Sequence, residues 1–185
     1  MRPGTRWLAV SLLTLTVLVS GCGDDSTKPP AAEEPWAIPA DTTRTVRIYS
    51  PTTTCIVGDS LEFKVIFNRL GSLFGAALEI SVPSERLRLV RAEVNPGYFP
   101  GATVELPAWI DPATGRLAYG VSYLGNQPQT EARSGALLRF TCVAIAAGTA
   151  EVEFVEGRLE IRDAAGDRVD SDPAVRREGT SLVIR

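Results

Sequence analysis

From Thr45 onward, apolar and polar residues alternate in short runs separated by turn residues. Val46 to Tyr49 (VRIY) alternates. Ser60 to Phe67 (SLEFKVIF) puts Leu61, Phe63, Val65 and Phe67 on one side, and Ala77 to Val82 (ALEISV) does the same with Leu78, Ile80 and Val82. Leu87 to Val94 turns Leu87 and Leu89 inward. Leu117 to Leu124 groups Leu117, Tyr119, Val121 and Tyr123, and Ala136 to Val143 groups Ala136, Leu138, Phe140 and Cys142. Ala150 to Val155, Arg158 to Arg162 and Ser181 to Ile184 complete nine such runs. A period of two marks half-buried strands. Nine of them, with no long amphipathic helix between, predict an all-β sandwich rather than a parallel α/β sheet.

The connections carry turn chemistry. Val57-Gly58-Asp59 precedes the second run, Asp111 to Gly115 (DPATG) precedes the fifth, and Asp163 to Asp167 (DAAGD) lies near the end. Pro, Gly and Asp supply the backbone conformations and local hydrogen bonds that tight turns need.

The beginning of the chain follows another pattern. Arg2 and Arg6 precede Trp7 to Val19 (WLAVSLLTLTVLV), which is uncharged and mostly apolar, and Val19-Ser20-Gly21-Cys22 follows. A basic start, a short apolar run and small residues before a cut form a secretory signal. The run is shorter than the roughly 20 residues that span a bilayer. The Val-Ser-Gly-Cys end resembles the lipobox of bacterial lipoproteins, which implies cleavage before Cys22 and lipidation of its thiol. Residues 23–43 (GDDSTKPPAAEEPWAIPADTT) show no period, and their four prolines favour extended chain. The expected organisation is a signal over 1–21, a tether over 22–43 that can dock through Trp36 and Ile38, and one domain over 44–185. Gly23 after the cysteine, where enterobacterial sorting uses Asp to retain a lipoprotein inside, points to the outer membrane or cell surface of the envelope.

Charge and composition narrow the function. The full chain has a net charge of −3; removal of Arg2 and Arg6 leaves 17 basic against 22 acidic residues, or −5. The domain has no Lys/Arg cluster, which argues against a nucleic-acid partner. It has no histidine, which excludes Ser-His-Asp and Cys-His triads and histidine-ligated metals. A non-enzymatic protein without cofactor or metal is expected. With Cys22 lipidated, Cys55 and Cys142 are the two remaining thiols, and export makes a disulfide between them one of two open readings, buried free thiols being the other.

The order of strands and turns resembles the cohesin domain, the nine-stranded jelly-roll sandwich of cellulosome scaffolds. The stretches that carry the resemblance are Val57-Gly58-Asp59 with its strand, Gly75 to Leu87, Leu87 to Val94, Thr114-Gly115-Arg116-Leu117, Ser134 to Phe140, and Ala147-Gly148-Thr149-Ala150. Val82-Pro83-Ser84 stands where the family usually has Tyr-Asp-Pro. The resemblance implies a last strand, Ser181 to Ile184, beside the first. It also implies binding of dockerins, small calcium-loaded helical modules, through a sheet face built from the third, fifth, sixth and eighth strands. Carried onto the nine runs, the outward positions are Glu79, Ser81, Ala118, Ser122, Leu124, Leu137 and Arg139.

Two other segments bear on chemistry. Residues 95–113 read as an insertion holding Tyr98, Phe99 and Trp109. They are either a platform for stacking sugars or a plug for one end of the sandwich; the interleaved Pro and Gly favour the plug. Asp163, Asp167, Asp170 and Asp172 lack the spacing of a helical calcium loop and read as a solvated hairpin end. The expected function is therefore a membrane-anchored module binding an exported, dockerin-like protein. The alternatives are a carbohydrate-binding module and a structural envelope lipoprotein.

Overall fold

Leu61, Phe63, Val65 and Phe67 are all buried between two sheets, as are Leu117, Tyr119, Val121 and Tyr123. The computed structural model describes residues 34–101, 103–125 and 134–185. The signal, Cys22 and residues 23–33 of the tether lie outside the described residues. The strands are β1 (Thr45–Tyr49), β2 (Thr54–Cys55), β3 (Ser60–Asn68), β4 (Leu73–Ser81), β5 (Leu87–Val94), β6 (Thr103–Asp111), β7 (Arg116–Tyr123), β8 (Gly135–Ala144), β9 (Gly148–Asp163), β10 (Arg176–Glu178) and β11 (Thr180–Ile184). One sheet has the order β10-β1-β3-β8-β5, the other β2-β11-β9-β4-β7-β6. Two mainly antiparallel sheets packed face to face form the expected jelly-roll sandwich.

The strand count differs from nine in two ways. Ala150 to Val155 and Arg158 to Arg162 are one strand, β9, kinked at Gly157, whose φ is +71°. Three strands went unpredicted: the short β2 and β10, and β6. Pro107 interrupts the alternation of β6, but proline is tolerated where its missing N–H faces no neighbour, and β6 is the edge of its sheet. A bulge between Leu106 and Trp109 shifts the pattern once more. The strand beside β1 is β10; the last strand, β11, lies between β2 and β9 instead.

The aromatics of the 95–101 segment fill one end of the core. The Tyr98 ring meets Phe67 edge-on at 5.9 Å and Phe99 at 5.3 Å, and Phe99 lies 5.3 Å from Tyr123. Tyr98 and Phe99 are buried while Trp109 is exposed, so the expected plug is built by the first two only. Cys55 in β2 and Cys142 in β8 are buried free thiols, the second of the two open readings. Burial pushes the Cys142 thiol up to about 12. Burial, and then the charge of Asp59, raise Cys55 as well.

The turn before β7 depends on one glycine. Gly115 has φ +67°, and its carbonyl accepts the Val82 N–H at 2.8 Å. A Cβ at Gly115 would lie 1.9 Å from the Val82 oxygen. Backbone strain and the clash together make Gly115→Ala expected to cost about 3 kcal/mol. Chemical denaturation of the two proteins measures it; a loss under about 1 kcal/mol means that the turn relaxes freely.

Candidate functional site

The outer side of the six-stranded sheet carries a floor of small residues and a ridge of large ones. Pairing sets Gly75 and Ala77 of β4 beside Ser122 and Gly120 of β7, and Glu79 beside Ala118. On the other side of β7, Val104 faces Ser122, Leu106 faces Gly120 and Trp109 faces Ala118. Residues two apart on one strand share a face, so these positions form one surface. Val104, Leu106 and Trp109 are 53%, 70% and 57% exposed, and Leu124, one residue past β7, is 49% exposed. Apolar side chains clustered in this way mark interaction surfaces.

Two shallow grooves flank Leu106. The first, about 450 Å³, is lined by Phe74, Gly75, Ala77, Val104, Leu106 and Gly120, with Glu160 and Arg162 at its border. The second, about 330 Å³, lies among Ala77, Glu79, Leu106, Trp109, Ala118 and Arg158. The floor is low because a side chain at Gly75 has no room: a Cβ there would meet the Val121 carbonyl oxygen at 2.8 Å.

Charges border the apolar strip. Glu79 lies 3.5 Å from Arg116 and 4.0 Å from Arg158, and Glu160 pairs with Arg162 at 2.6 Å. Exposed pairs of this kind add little stability, but they orient an incoming charged surface. Asp111 fixes the β6–β7 turn at the strip's end. Its carboxylate accepts the Thr114 hydroxyl at 2.6 Å and the Ala113 N–H at 3.0 Å, and these hydrogen bonds, the hydroxyl's above all, hold its pKa below the usual carboxylate value.

The structure divides the seven residues assigned to the partner face. Glu79, Ser81, Ala118 and Ser122 lie on the outer side of the six-stranded sheet, and Leu124 follows its strand β7. Leu137 and Arg139 belong to β8 in the other sheet. The strand numbering is the cause. Because β6 went unpredicted, β7 and β8 stood as the fifth and sixth strands; counted with β6 and without the two-residue β2, the third, fifth, sixth and eighth are β4, β6, β7 and β9. Those four are consecutive neighbours in one sheet. Leu137 also points the other way from its expectation. Val65 faces Leu138 and Ile66 faces Ala136, so Leu137 is the extra residue of a bulge; it is 0% exposed within the core cluster. Arg139 pairs with Glu93 at 2.5 Å and with Glu62 at 3.4 Å.

Val104, Leu106 and Trp109 were absent from the sequence-derived face. Their signal was the alternation Val104-Glu105-Leu106, hidden by Pro107. Three of the four aspartates of the 163–172 turn have carboxylates that serve separate partners. Asp163 accepts the Ala165 and Asp167 N–H groups, Asp170 pairs with Arg168, and Asp172 pairs with Arg44 at 2.6 Å. No metal-binding group of acids occurs among the described residues.

No protein-family model and no curated protein sequence matches the chain. Solved structures do. A type II cohesin domain from the cellulosome of Acetivibrio cellulolyticus superposes with a TM-score of 0.57 at 17% identity, covering 76% of this chain and 95% of that one. The type II cohesin A11 of Bacteroides cellulosolvens gives 0.60 at 12% identity, covering 76% and 99%. A non-cellulosomal cohesin from the archaeon Archaeoglobus fulgidus gives 0.56 at 12%, covering 78% and 92%. The domain therefore has the fold of cohesins. That fold occurs in cellulosomal and non-cellulosomal proteins alike.

Proposed function

We propose that this protein is a lipid-anchored, non-enzymatic binding module of the cell envelope that holds a dockerin-like protein on the outer face of its six-stranded sheet. The observation that carries this reading is the ridge of Val104, Leu106 and Trp109 over a floor of Gly75, Ala77, Ala118 and Gly120. Such a face desolvates an apolar helix surface, and its charged border sets the orientation. Solved structures of the same fold support the partner class. One is the third cohesin of ScaC from Acetivibrio cellulolyticus in complex with the ScaB dockerin; another is the sixth cohesin of that organism's scaffoldin B in complex with a Cel5 dockerin variant. The anchor rests on the lipobox-like sequence ending at Cys22.

Immobilised residues 22–185 should retain a protein with paired calcium-loop helices from the exported proteins of the source organism, in a calcium-dependent manner. Retention of polysaccharide on a glycan array, with no such protein captured, would turn the reading to carbohydrate binding. The anchor is checked separately: labelled palmitate should enter the wild-type protein and not Cys22→Ala.

A further inference from the structure

The outer side of the five-stranded sheet is taken by the chain's own residues 34–43. The Lys64 ammonium of β3 donates to the Ala37 carbonyl at 3.0 Å, and the Asn68 amide to the Asp41 carbonyl at 3.2 Å. Arg69 donates to the Thr42 carbonyl at 3.0 Å, and the Arg139 guanidinium of β8 lies 5.2 Å from the centre of the Trp36 ring. The outer side of the six-stranded sheet has no such cover among the described residues, and it is shaped as a trough. Its floor is two strands wide. Outward positions of β4 and β7 stand in three rows: Gly75 with Ser122, Ala77 with Gly120, and Glu79 with Ala118. β6 and β9 flank these strands, one on each side. From β6 rise Val104, Leu106 and Trp109, one to each row. On β9, Arg162 and Glu160 stand beside the first two rows, and Arg158 reaches Glu79 of the third at 4.0 Å. The trough therefore has an apolar wall and a charged wall.

Three strand spacings separate the walls, about 14 Å. An α-helix with its side chains is about 10–12 Å across and fills that width. A single extended peptide, about 5 Å wide in the plane of the sheet, leaves one wall untouched. The rows also set a register. Successive rows are two residues apart, about 6.6 Å, and residues i and i+4 of a helix rise by about 6 Å. Leu106, in the middle row, lines both grooves, so two side chains one helical turn apart fall on either side of it. The charged wall adds a polarity. Glu160 and Arg162 satisfy each other at 2.6 Å. Arg158 is 71% exposed, and its one carboxylate, Glu79, is shared with Arg116 at 3.5 Å. Asp111, across from Arg116, directs its carboxylate to Thr114 and Ala113 of its own turn. The Glu79 end of the trough thus holds two guanidinium groups with one carboxylate between them. We infer that the trough takes one amphipathic helix of the partner, lying along β4 and β7. Aliphatic side chains at i and i+4 seat on either side of Leu106, and a carboxylate at i+7 meets Arg158 and Arg116. The inference rests on the reading of this side as the binding face and adds what the face selects.

The test titrates cross-linked helical peptides of about four turns into isotope-labelled residues 22–185 and follows the amide signals. The first peptide carries Leu at i and i+4 and Glu at i+7. A second has its leucines at i and i+2, on opposite sides of the helix, and a third has Lys at i+7. The first should shift the signals of Ala118, Gly120 and Ser122 and bind about tenfold tighter than the second. Its advantage over the third should shrink as salt is raised. Gly120→Ala lifts the floor of one groove. The added Cβ would stand 3.4 Å from Leu106 Cδ1, an ordinary contact that the fold accepts. Binding of the first peptide should weaken about tenfold. Ala118→Val does the same to the other groove, and Arg158→Glu should remove the preference for Glu over Lys. No shifts on this face, equal binding of the first two peptides, or unchanged binding in both groove variants overturns the inference. The peptides carry no calcium loop. A capture experiment that retains no paired calcium-loop protein would therefore sink the dockerin reading and leave the helix register standing. A captured protein, together with peptides that bind without regard to spacing, would do the reverse.

Discussion

Leu106→Asp is expected to weaken partner binding by about 3 kcal/mol, more than a hundredfold in Kd, while leaving the stability of the domain within about 0.5 kcal/mol. Among the described residues, Leu106 is the most exposed of the large apolar ones, and it stands between the two grooves. In the free domain its side chain is mostly in water, so its removal sacrifices little packing. In the complex it would sit at the centre of the contact, where water is excluded and truncations cost the most. Aspartate there adds the desolvation of a carboxylate, with Arg158 and Arg162 at the groove margins rather than beside it. Val90→Asp serves as the control: Val90 is an exposed apolar residue of β5, in the other sheet, and its replacement should leave Kd unchanged. Titration calorimetry with the captured partner measures both. Equal Kd values for Leu106→Asp and wild type would remove this face from the interaction.

The same reasoning explains why the face was only half legible in the sequence. Alternation gives the side to which each residue of a regular strand points. For β3, β4 and β7 it assigned the core correctly, because nothing interrupts the period over those inward positions. It says nothing about which strands are neighbours. The partner face was therefore assigned by counting strands, and one missed strand moved the count. β6 was missed for a physical reason: an edge strand needs hydrogen bonds on one side only, so it tolerates a proline and a bulge that would break a central strand. Those two irregularities erase the period by which a strand is read. Leu137 failed for a related reason. One extra residue in β8 reverses the side on which the next residue points, and bulges leave no mark in composition. The tether's end was legible in part. Prolines and acids made residues 34–43 read as spacer, and only Trp36 and Ile38 hinted at docking, because the hydrogen bonds that hold the segment run to its main-chain carbonyls, which every residue carries.

Asp170→Ala should lower stability by about 3 kcal/mol, a fall in Tm of about 10 °C for a domain of this size. Asp170 is 2% exposed and ties the long connection after β9 back onto that strand. Its carboxylate accepts the Ile161 N–H at 2.8 Å and pairs with Arg168 at 2.6 Å, with Arg177 at 3.7 Å. Arg177 also donates to the Asp170 carbonyl at 2.7 Å. Alanine would leave the Ile161 N–H unpaired inside the protein and two guanidinium groups without their counter-ion. Val169 and Val175, which the connection buries against the core, would be held less firmly. Burial alone would raise the carboxyl's pKa. The hydrogen bonds from Arg168 and Ile161 and the charge of Arg168 outweigh it, and the pKa lies below the usual aspartate value. A carboxyl whose pKa is depressed by folding stabilises the fold fully above its unfolded pKa, about 4, and the contribution is lost as pH falls through the lower folded value. Stability of the wild type should therefore decline below about pH 4. Asp170→Asn keeps an acceptor for the Ile161 N–H but carries no charge. It should be less damaging than alanine at neutral pH, and its stability should decline less than the wild type's in acid. Urea unfolding at a series of pH values separates the two effects: if wild type and Asp170→Asn fall in parallel below pH 4, the carboxylate is not what ties the connection down.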